Sequence, residues 1–193
     1  MREMISMIVV LTALTAFSGG ILSVVKSGTE VQIENQVLKF QKAPAIAEIF
    51  PEVSNDPLAE RFTVEKDDVK VQIFPGTLAD GSKAVAFEAK GTGFGGPIGL
   101  MVGINVATDE IIAARVTTHA ETPGIGTRAK DDLSFVDQFA GKGIDANLNA
   151  KGNGGEIDAM SGATVTSLGV CTAAVQAQDL YKKLKSDIVN QIN

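Results

Sequence analysis

Residues 83–118 read KAVAFEAKGTGFGGPIGLMVGINVATDEIIAARVTT, three apolar runs separated by turn residues. The first run, 83–90, alternates through Val85 and Phe87. A glycine-rich bend, Gly91-Thr92-Gly93-Phe94-Gly95-Gly96, leads into the second at 98–106, and Thr108-Asp109 turns the chain into the third at 111–118. Short apolar runs bounded by Gly and Asp predict strands. Connections of a few residues join antiparallel neighbours, so the centre of the chain is expected to be an antiparallel sheet.

The flanks extend this reading. Residues 61–74 alternate through Phe62, Val64, Val69, Val71 and Ile73, which predicts strand, turn, strand with the turn around 66–68. Pro75 and Gly76 are expected to break the second strand, and Asp80-Gly81 marks a tight hairpin. Residues 30–50 carry partly helical spacing interrupted by Pro44, which predicts two short helices ended by Pro51. Beyond the sheet a loop at 118–128 precedes a short amphipathic helix near 132–139, with Leu133, Phe135, Val136 and Phe139 inward. Residues 142–155 read as an exposed loop. The chain closes with one long helix, about 165–191, apolar at Leu168, Val175, Leu180, Leu184 and Ile188. Together these elements predict an α+β domain built on a twisted antiparallel sheet packed against helices.

Residues 4–25 form a charge-free run of 22, bounded by Arg2 and Glu3 on one side and Lys26 on the other. As a helix it reaches about 33 Å, enough for a hydrocarbon core of about 30 Å. A cleaved secretory signal is the alternative, but the apolar core of a signal is usually shorter, about 7 to 15 residues. A retained single-span anchor over residues 1–27 is expected, followed by a domain over 28–193. Positive charge on the two flanks is nearly balanced, so orientation is weakly marked. The simpler arrangement exports the domain whole, to the periplasmic or extracellular side of the cell membrane.

A net charge of −6 argues against nucleic acid as a partner. A single cysteine, Cys171, excludes an intramolecular disulfide and a cysteine-cluster metal site, and reads as a buried structural thiol. A single histidine, His119, excludes multi-histidine metal or haem ligation. Redox or catalytic chemistry here therefore calls for an organic cofactor.

The segment that carries chemistry is Asp158-Ala159-Met160-Ser161-Gly162-Ala163-Thr164, immediately before the long helix. Ser161 is a good cap residue, Gly162 and Ala163 let a ligand approach the backbone, and Thr164 supplies a hydroxyl. The first turn of a helix offers free N–H groups and the positive end of the dipole, a ready anion site. On these residues alone an ordinary capped helix is the stronger reading.

Three segments shift that balance. Asp158-x-x-Ser161-Gly162-Ala163-Thr164 resembles the flavinylation motif of the FMN-binding domain family, in which the FMN phosphate is esterified to the motif's last threonine. Five fixed residues at these spacings arise by chance in such a chain with odds of roughly one in ten thousand. His119-Ala120-Glu121-Thr122-Pro123-Gly124-Ile125-Gly126 is similar to the family's His-x-Glu-Thr-Pro-Gly-Leu-Gly loop, with Ile125 in place of the usual leucine. Gly93-Phe94-Gly95-Gly96-Pro97-Ile98, followed by Met101-Val102-Gly103-Ile104, resembles a third family segment. All three lie in the family's order behind one N-terminal span. Within the family the chain most resembles the G subunits of Rnf complexes, ion-pumping ferredoxin:NAD oxidoreductases of bacterial membranes. The C subunits of sodium-pumping NADH:quinone reductases share the motifs and are usually longer.

The resemblance implies an electron-transfer subunit of such a complex, relaying electrons through covalent FMN in ferredoxin:NAD oxidoreduction coupled to Na⁺ or H⁺ translocation. Its partners would be the other membrane and peripheral Rnf subunits and, during maturation, a flavin transferase. Thr164 would carry the phosphoester, Asp158 would be read by the transferase, and Ser161, Gly162 and Ala163 would wrap the phosphate and ribityl chain. Glu121 and Thr122 would hydrogen-bond the flavin or its tail. Pro123, Gly124, Ile125 and Gly126 would form a rigid loop with an apolar side against the isoalloxazine ring. His119 could serve as a proton donor but is expected to fix a loop, and Phe94 could pack near the ring but is expected to fill the core. Arg128, Lys142 and Lys151 are candidates to meet the phosphate or flavin charge. No metal ligand and no catalytic residue is expected. Two other readings stay open: a stand-alone flavinylated carrier, and an anchored binding module without cofactor.

Overall fold

The computed structural model describes residues 2–67 and 69–192. The apolar runs become β1 (Phe62–Lys66), β2 (Val69–Thr77), β3 (Lys83–Thr92), β4 (Pro97–Asn105) and β5 (Glu110–Val116). They form one antiparallel sheet in sequence order, β1-β2-β3-β4-β5. The expected turn at 66–68 is described only as far as Asp67, whose φ is 48°; Asp68 lies outside the described residues.

The central strands are apolar on both sides because both sheet faces are covered. Val85, Phe87, Ile98, Leu100, Val102 and Ile104 point into the main core, which the long helix α5 (Thr164–Ile192) closes. On the other face α2 (Ala43–Ile49) packs its buried Ala45, Ile46 and Ile49. A β-carbon on Gly103 would strike Ile49, and one on Gly76 would come within 3.1 Å of the Phe50 ring, so bare glycines admit α2 and the residue that follows it. Burying a side chain of Leu, Ile or Phe size contributes about 1.5–3 kcal/mol. Val85, Leu100, Ile104 and Phe139 are each fully buried.

Pro75 and Gly76 do not break β2, which continues to Thr77 and pairs Pro75 with Val85 and Gly76 with Ala84. The reason lies on the other side of the strand. Its pairing with β1 stops at Ile73, and the side chain of Asn55 takes over, donating to Pro75 O at 3.0 Å and accepting from Thr77 N at 2.8 Å. The N–H that proline lacks would face a place where no strand needs it.

The expected pair of short helices at 30–50 is also corrected. Helix α1 (Arg2–Val37) runs through residue 27 without a break, a π-helical turn follows at Leu38–Lys42, and only α2 is separate. Pro44 falls in the first turn of α2, where a missing N–H costs nothing. The chain divides into two units, Met1–Phe40 and Gln41–Asn193. In the first, α1 buries no side chain and is long and apolar enough to cross a membrane.

After β5 the expected helix at 132–139 is α4 (Leu133–Val136) continued by a 3-10 turn at Asp137–Phe139, and a further short helix, α3 (Arg128–Asp131), precedes it. Asp132 separates them, accepting from Ser134 N at 3.1 Å. Phe135, Val136 and Phe139 are buried as expected, whereas Leu133 is exposed. Along α5 the buried line is mostly small: Gly169, Val170, Cys171, Ala173, Ala174 and Ala177, then Tyr181, Leu184 and Ile188. Leu168, Val175 and Leu180 only border it.

Candidate functional site

Three segments meet at the start of α5: the glycine-rich bend at 93–96, the loop at 119–126, and the turn at 160–163. They enclose a cleft of about 390 Å³ lined by Phe94, Glu121, Thr122, Ile125, Gly126, Gly162, Ala163, Thr164, Val165 and Thr166. That volume lies in the range of sites for small organic ligands.

The turn before the helix is built from the backbone. Gly162 has φ 81°, where an L side chain would be strained. Ala163 N donates to Met160 O at 3.1 Å, and the buried Ser167 hydroxyl ties both ends, accepting from Met160 N at 2.9 Å and donating to Ala163 O at 2.9 Å. Ser161 is therefore not the cap: Ala163 occupies the position before Thr164, and it has no side-chain acceptor to offer. Among the described residues no acceptor meets the amide N–H of Thr164, Val165 or Thr166. Three free donors at the positive end of a 29-residue helix thus open onto the cleft beside the exposed Thr164 hydroxyl. An anion is the fitting guest.

Glu121 lies at the base of the cleft, only 6% exposed. Its Oε1 accepts from Gly95 N at 2.7 Å. Its Oε2 accepts from Phe94 N at 3.3 Å and from the Thr166 hydroxyl. Burial pushes this carboxyl up, but the Thr166 hydroxyl, the Gly95 and Phe94 amides and His119 outweigh it and hold Glu121 below the ordinary carboxylate range. Hydrogen bonds to a charged acceptor contribute about 1.5–3 kcal/mol each. Glycines leave room for the carboxylate. A β-carbon on Gly93 would come within 2.5 Å of Oε1, and one on Gly126 within 2.7 Å of Glu121 Cβ.

In the loop at 119–126 the Thr122 carbonyl accepts from the amides of Ile125, Gly126 and Thr127 at 3.2, 3.0 and 3.3 Å. Gly124 has φ 73°, and its amide donates to the Thr127 hydroxyl at 3.0 Å. His119 Nδ1 accepts from Glu121 N at 3.3 Å, the loop-fixing role expected of it. Phe94 departs from expectation: it is not in the core but 75% exposed at the rim of the cleft. Ile125 and Val165, about half exposed, complete an apolar rim.

Of the sequence-derived site residues, Glu121, Thr122, Ile125, Gly126, Gly162, Ala163 and Thr164 line the cleft. Ser161 and Gly124 shape its loops from outside. Asp158 is exposed and bonded to Lys151 at 2.7 Å. Lys142 is paired with Glu156 at 2.7 Å, and Arg128 donates to Ser161 O at 3.2 Å. None of these three cations lines the cleft. Thr166 and Val165 were missed by sequence reasoning. Thr166 carries a sequence signal only in being one of three hydroxyl residues, with Thr164 and Ser167, in the first turn of the helix.

The family model described as FMN-binding domain matches residues 93–179, which hold all three cleft segments. The G subunit of the ion-translocating oxidoreductase complex of Salmonella typhi is 31% identical over 179 residues, covering 88% of this chain and 86% of the relative. The G subunit from Cereibacter sphaeroides is 30% identical over 155 residues, covering 75% and 69%. That of Methanosarcina acetivorans is 28% identical over 183 residues, covering 92% and 94%. Among solved structures, NqrC of Shewanella oneidensis matches with a TM-score of 0.52 at 22% identity, over 80% of this chain and 76% of that one. The C subunit of the Na⁺-translocating NADH-quinone reductase from Parabacteroides distasonis gives 0.52 at 24% identity, over 60% of this chain and 63% of that one, just under two thirds. These two likenesses show the fold. Identity of this order to relatives matched over most of their length shows that the chain belongs to the family of the G subunits of ion-translocating oxidoreductase complexes.

Proposed function

We propose that the cleft holds FMN, that the FMN phosphate is joined to Thr164 Oγ1 as a phosphoester, and that the chain relays electrons within a membrane-bound ion-translocating oxidoreductase of the Rnf type. The observation that carries this reading is the set of three unaccepted amides at Thr164, Val165 and Thr166, opening onto an apolar-rimmed cleft beside an exposed hydroxyl. When bound, FMN supplies the acceptance and release of electrons.

The chain's own residues bind and orient. The helix amides take the phosphate, as helix N-termini do for anions. Gly162 and Ala163 leave the backbone open for its approach, and Thr122 offers a hydroxyl toward the tail. Phe94, Ile125 and Val165 cover the ring and keep water from it. A tether at Thr164 prevents loss of the cofactor outside the cytoplasm, where free FMN is too dilute to replace it. Asp158 through Thr164 would be presented to a flavin transferase, and the exposure of Asp158, Ser161 and Thr164 supports that role.

Residues 4–25 would span the membrane within an anchor over 1–27, with residues 28–193 on the periplasmic or extracellular side. With one candidate span among the described residues and no charge in residues 4–25, this chain would carry electrons and leave ion conduction to its neighbours. A second reading, the C subunit of a Na⁺-translocating NADH:quinone reductase, is supported by the shared fold with two such proteins. Co-purification from the native host with the other Rnf subunits, rather than with those of the quinone reductase or alone, separates the readings.

The direct test is intact-mass spectrometry of the chain from its native host, beside Thr164→Ala. The expected result is an added mass of one FMN minus water on the wild type, absent from the variant. An unmodified wild-type chain overturns the covalent attachment.

A further inference from the structure

Glu121 bonds to three of the segments that line the cleft. Its Oε1 accepts from Gly95 N at 2.7 Å, its Oε2 from Phe94 N at 3.3 Å and from the Thr166 hydroxyl, and its own amide donates to His119 Nδ1 at 3.3 Å. These bonds reach the bend at 93–96, the loop at 119–126 and the first turn of α5. Each segment also carries one exposed apolar side chain beside its contact with Glu121. Phe94 lies beside the Gly95 amide, Ile125 beside Gly126 (whose bare Cα faces Glu121 Cβ), and Val165 beside Thr166. Nothing else among the described residues bonds all three segments.

We propose that Glu121 is a positioning residue: its ionised carboxylate is the single staple that holds Phe94, Ile125 and Val165 in place around the cleft before any cofactor arrives. The inference gives Glu121 a role other than contact with the flavin, and it rests on the cofactor reading only for the purpose of the cleft. The physical argument is about acceptors. A carboxylate presents lone pairs in every direction the three donors need, and it has no proton to turn against them. A carboxamide of the same shape presents one oxygen and one NH₂, so at least one donor faces another donor. Because the donors come from different segments, losing the acceptor unties segments from one another and leaves the sheet beneath them untouched. Gly93, Gly95 and Gly126 fit the same picture: a β-carbon on any of them would collide with Glu121 or its loop.

Hydrogen exchange of the full-length chain in detergent, read by mass spectrometry in a Thr164→Ala background, tests the staple without any covalent flavin. Glu121→Gln is expected to exchange at least tenfold faster in the peptides covering 93–96 and 163–168, with β3 and β4 unchanged. Thr166→Val is expected to loosen 163–168 alone, and Thr166→Ser to restore wild-type exchange there. Wild-type exchange at both segments in Glu121→Gln overturns the proposal. Should Glu121→Gln unfold throughout, the decision passes to Thr166→Val, where unchanged exchange at 163–168 overturns it and a local rise rescued by Thr166→Ser supports it. Because no flavin enters this measurement, its failure is distinct from a failure to find FMN on Thr164.

Discussion

Gly169 lies so close to Gly91 that a β-carbon on Gly91 would land on the Gly169 carbonyl oxygen, and one on Gly169 would reach within 2.7 Å of Thr92 O. Helix α5 therefore rests backbone to backbone on the end of β3, in the turn that follows Thr164 and Thr166. This contact fixes how far the helix N-terminus stands from the bend at 93–96, and hence the width of the cleft.

Gly91→Ala has to push strand and helix apart, because its obstacle is backbone. Overpacking of this kind costs about 1–3 kcal/mol. A fall of that size is expected in denaturant titration, together with a smaller fraction of chains carrying FMN by intact mass. Gly143→Ala is the control. Its β-carbon would meet nothing within 4 Å, so stability is expected to hold or rise slightly.

Phe94 separates ligand contact from folding. At 75% exposure its ring contributes little to the core, and surface truncations of this kind usually stay within about 0.5 kcal/mol. Phe94→Ala is expected to keep the wild-type melting temperature while lowering the fluorescence anisotropy of FMN held by the chain, since one side of the apolar rim is gone. Loss of stability with unchanged anisotropy would return Phe94 to the core role that its apolar character suggested.

The sheet was legible because each strand announces itself locally, through an apolar run closed by Gly, Pro or Asp. The start of α5 was legible as a helix start for the same reason, since Gly162, Ala163 and Thr164 are contiguous, but on those residues alone an ordinary cap outranked an anion site. What stayed hidden depends on distant contacts. Glu121 and Thr166 are 45 residues apart, and no periodicity links them. Pro75 reads as a strand breaker until Asn55, 20 residues earlier, is seen standing beside it. Phe94 reads as core from residue type alone; in the fold its neighbours Gly93 and Gly95 make room for Glu121 and its loop, and the ring stands exposed at the rim of the cleft. Ser161 misled differently: the residue type suits a cap, but the turn at Gly162 moves the helix start two positions on.

Asp109 offers a pH test well away from the cleft. It accepts from Tyr181 at 3.0 Å and from Lys185 at 2.6 Å, tying the β4–β5 turn to α5. Burial pushes its carboxyl up, but the bonds to Lys185 and Tyr181 outweigh this and hold it below the ordinary aspartate range. A lowered folded-state value means the stabilisation is present above the unfolded value, about 3.9, and is lost as pH falls through the folded one. Urea titrations from pH 7 down to 3 are expected to show a decline below about 4 in the wild type and a flatter acid limb in Asp109→Asn. Asn tolerates the φ of 59° at this position, so the comparison isolates charge. With both partners partly exposed, the difference at neutral pH is expected to be under about 1 kcal/mol. Identical acid limbs would remove Asp109 from the acid response.

Cys171 reports on the same helix from inside. It is 1% exposed, and burial pushes its thiol from an ordinary value near 9 up to about 11. At pH 8 only about one thiol in a thousand is ionised in the folded chain, and the reactive thiolate has no path to solvent. Alkylation of the native protein is therefore expected to run at least a hundredfold slower than in denaturant. What rate remains measures how often α5 lifts from β3. The sign at high pH follows from the same shift. The unfolded chain releases its thiol proton first, so stability from this group is complete below about 9 and falls as pH rises toward 11. Gly91→Ala, which wedges the helix off the strand beside this cysteine, is expected to speed native alkylation more than Gly143→Ala does. Equal rates in the two variants would mean that the contact between Gly91 and Gly169 does not hold the N-terminal half of α5 on the sheet.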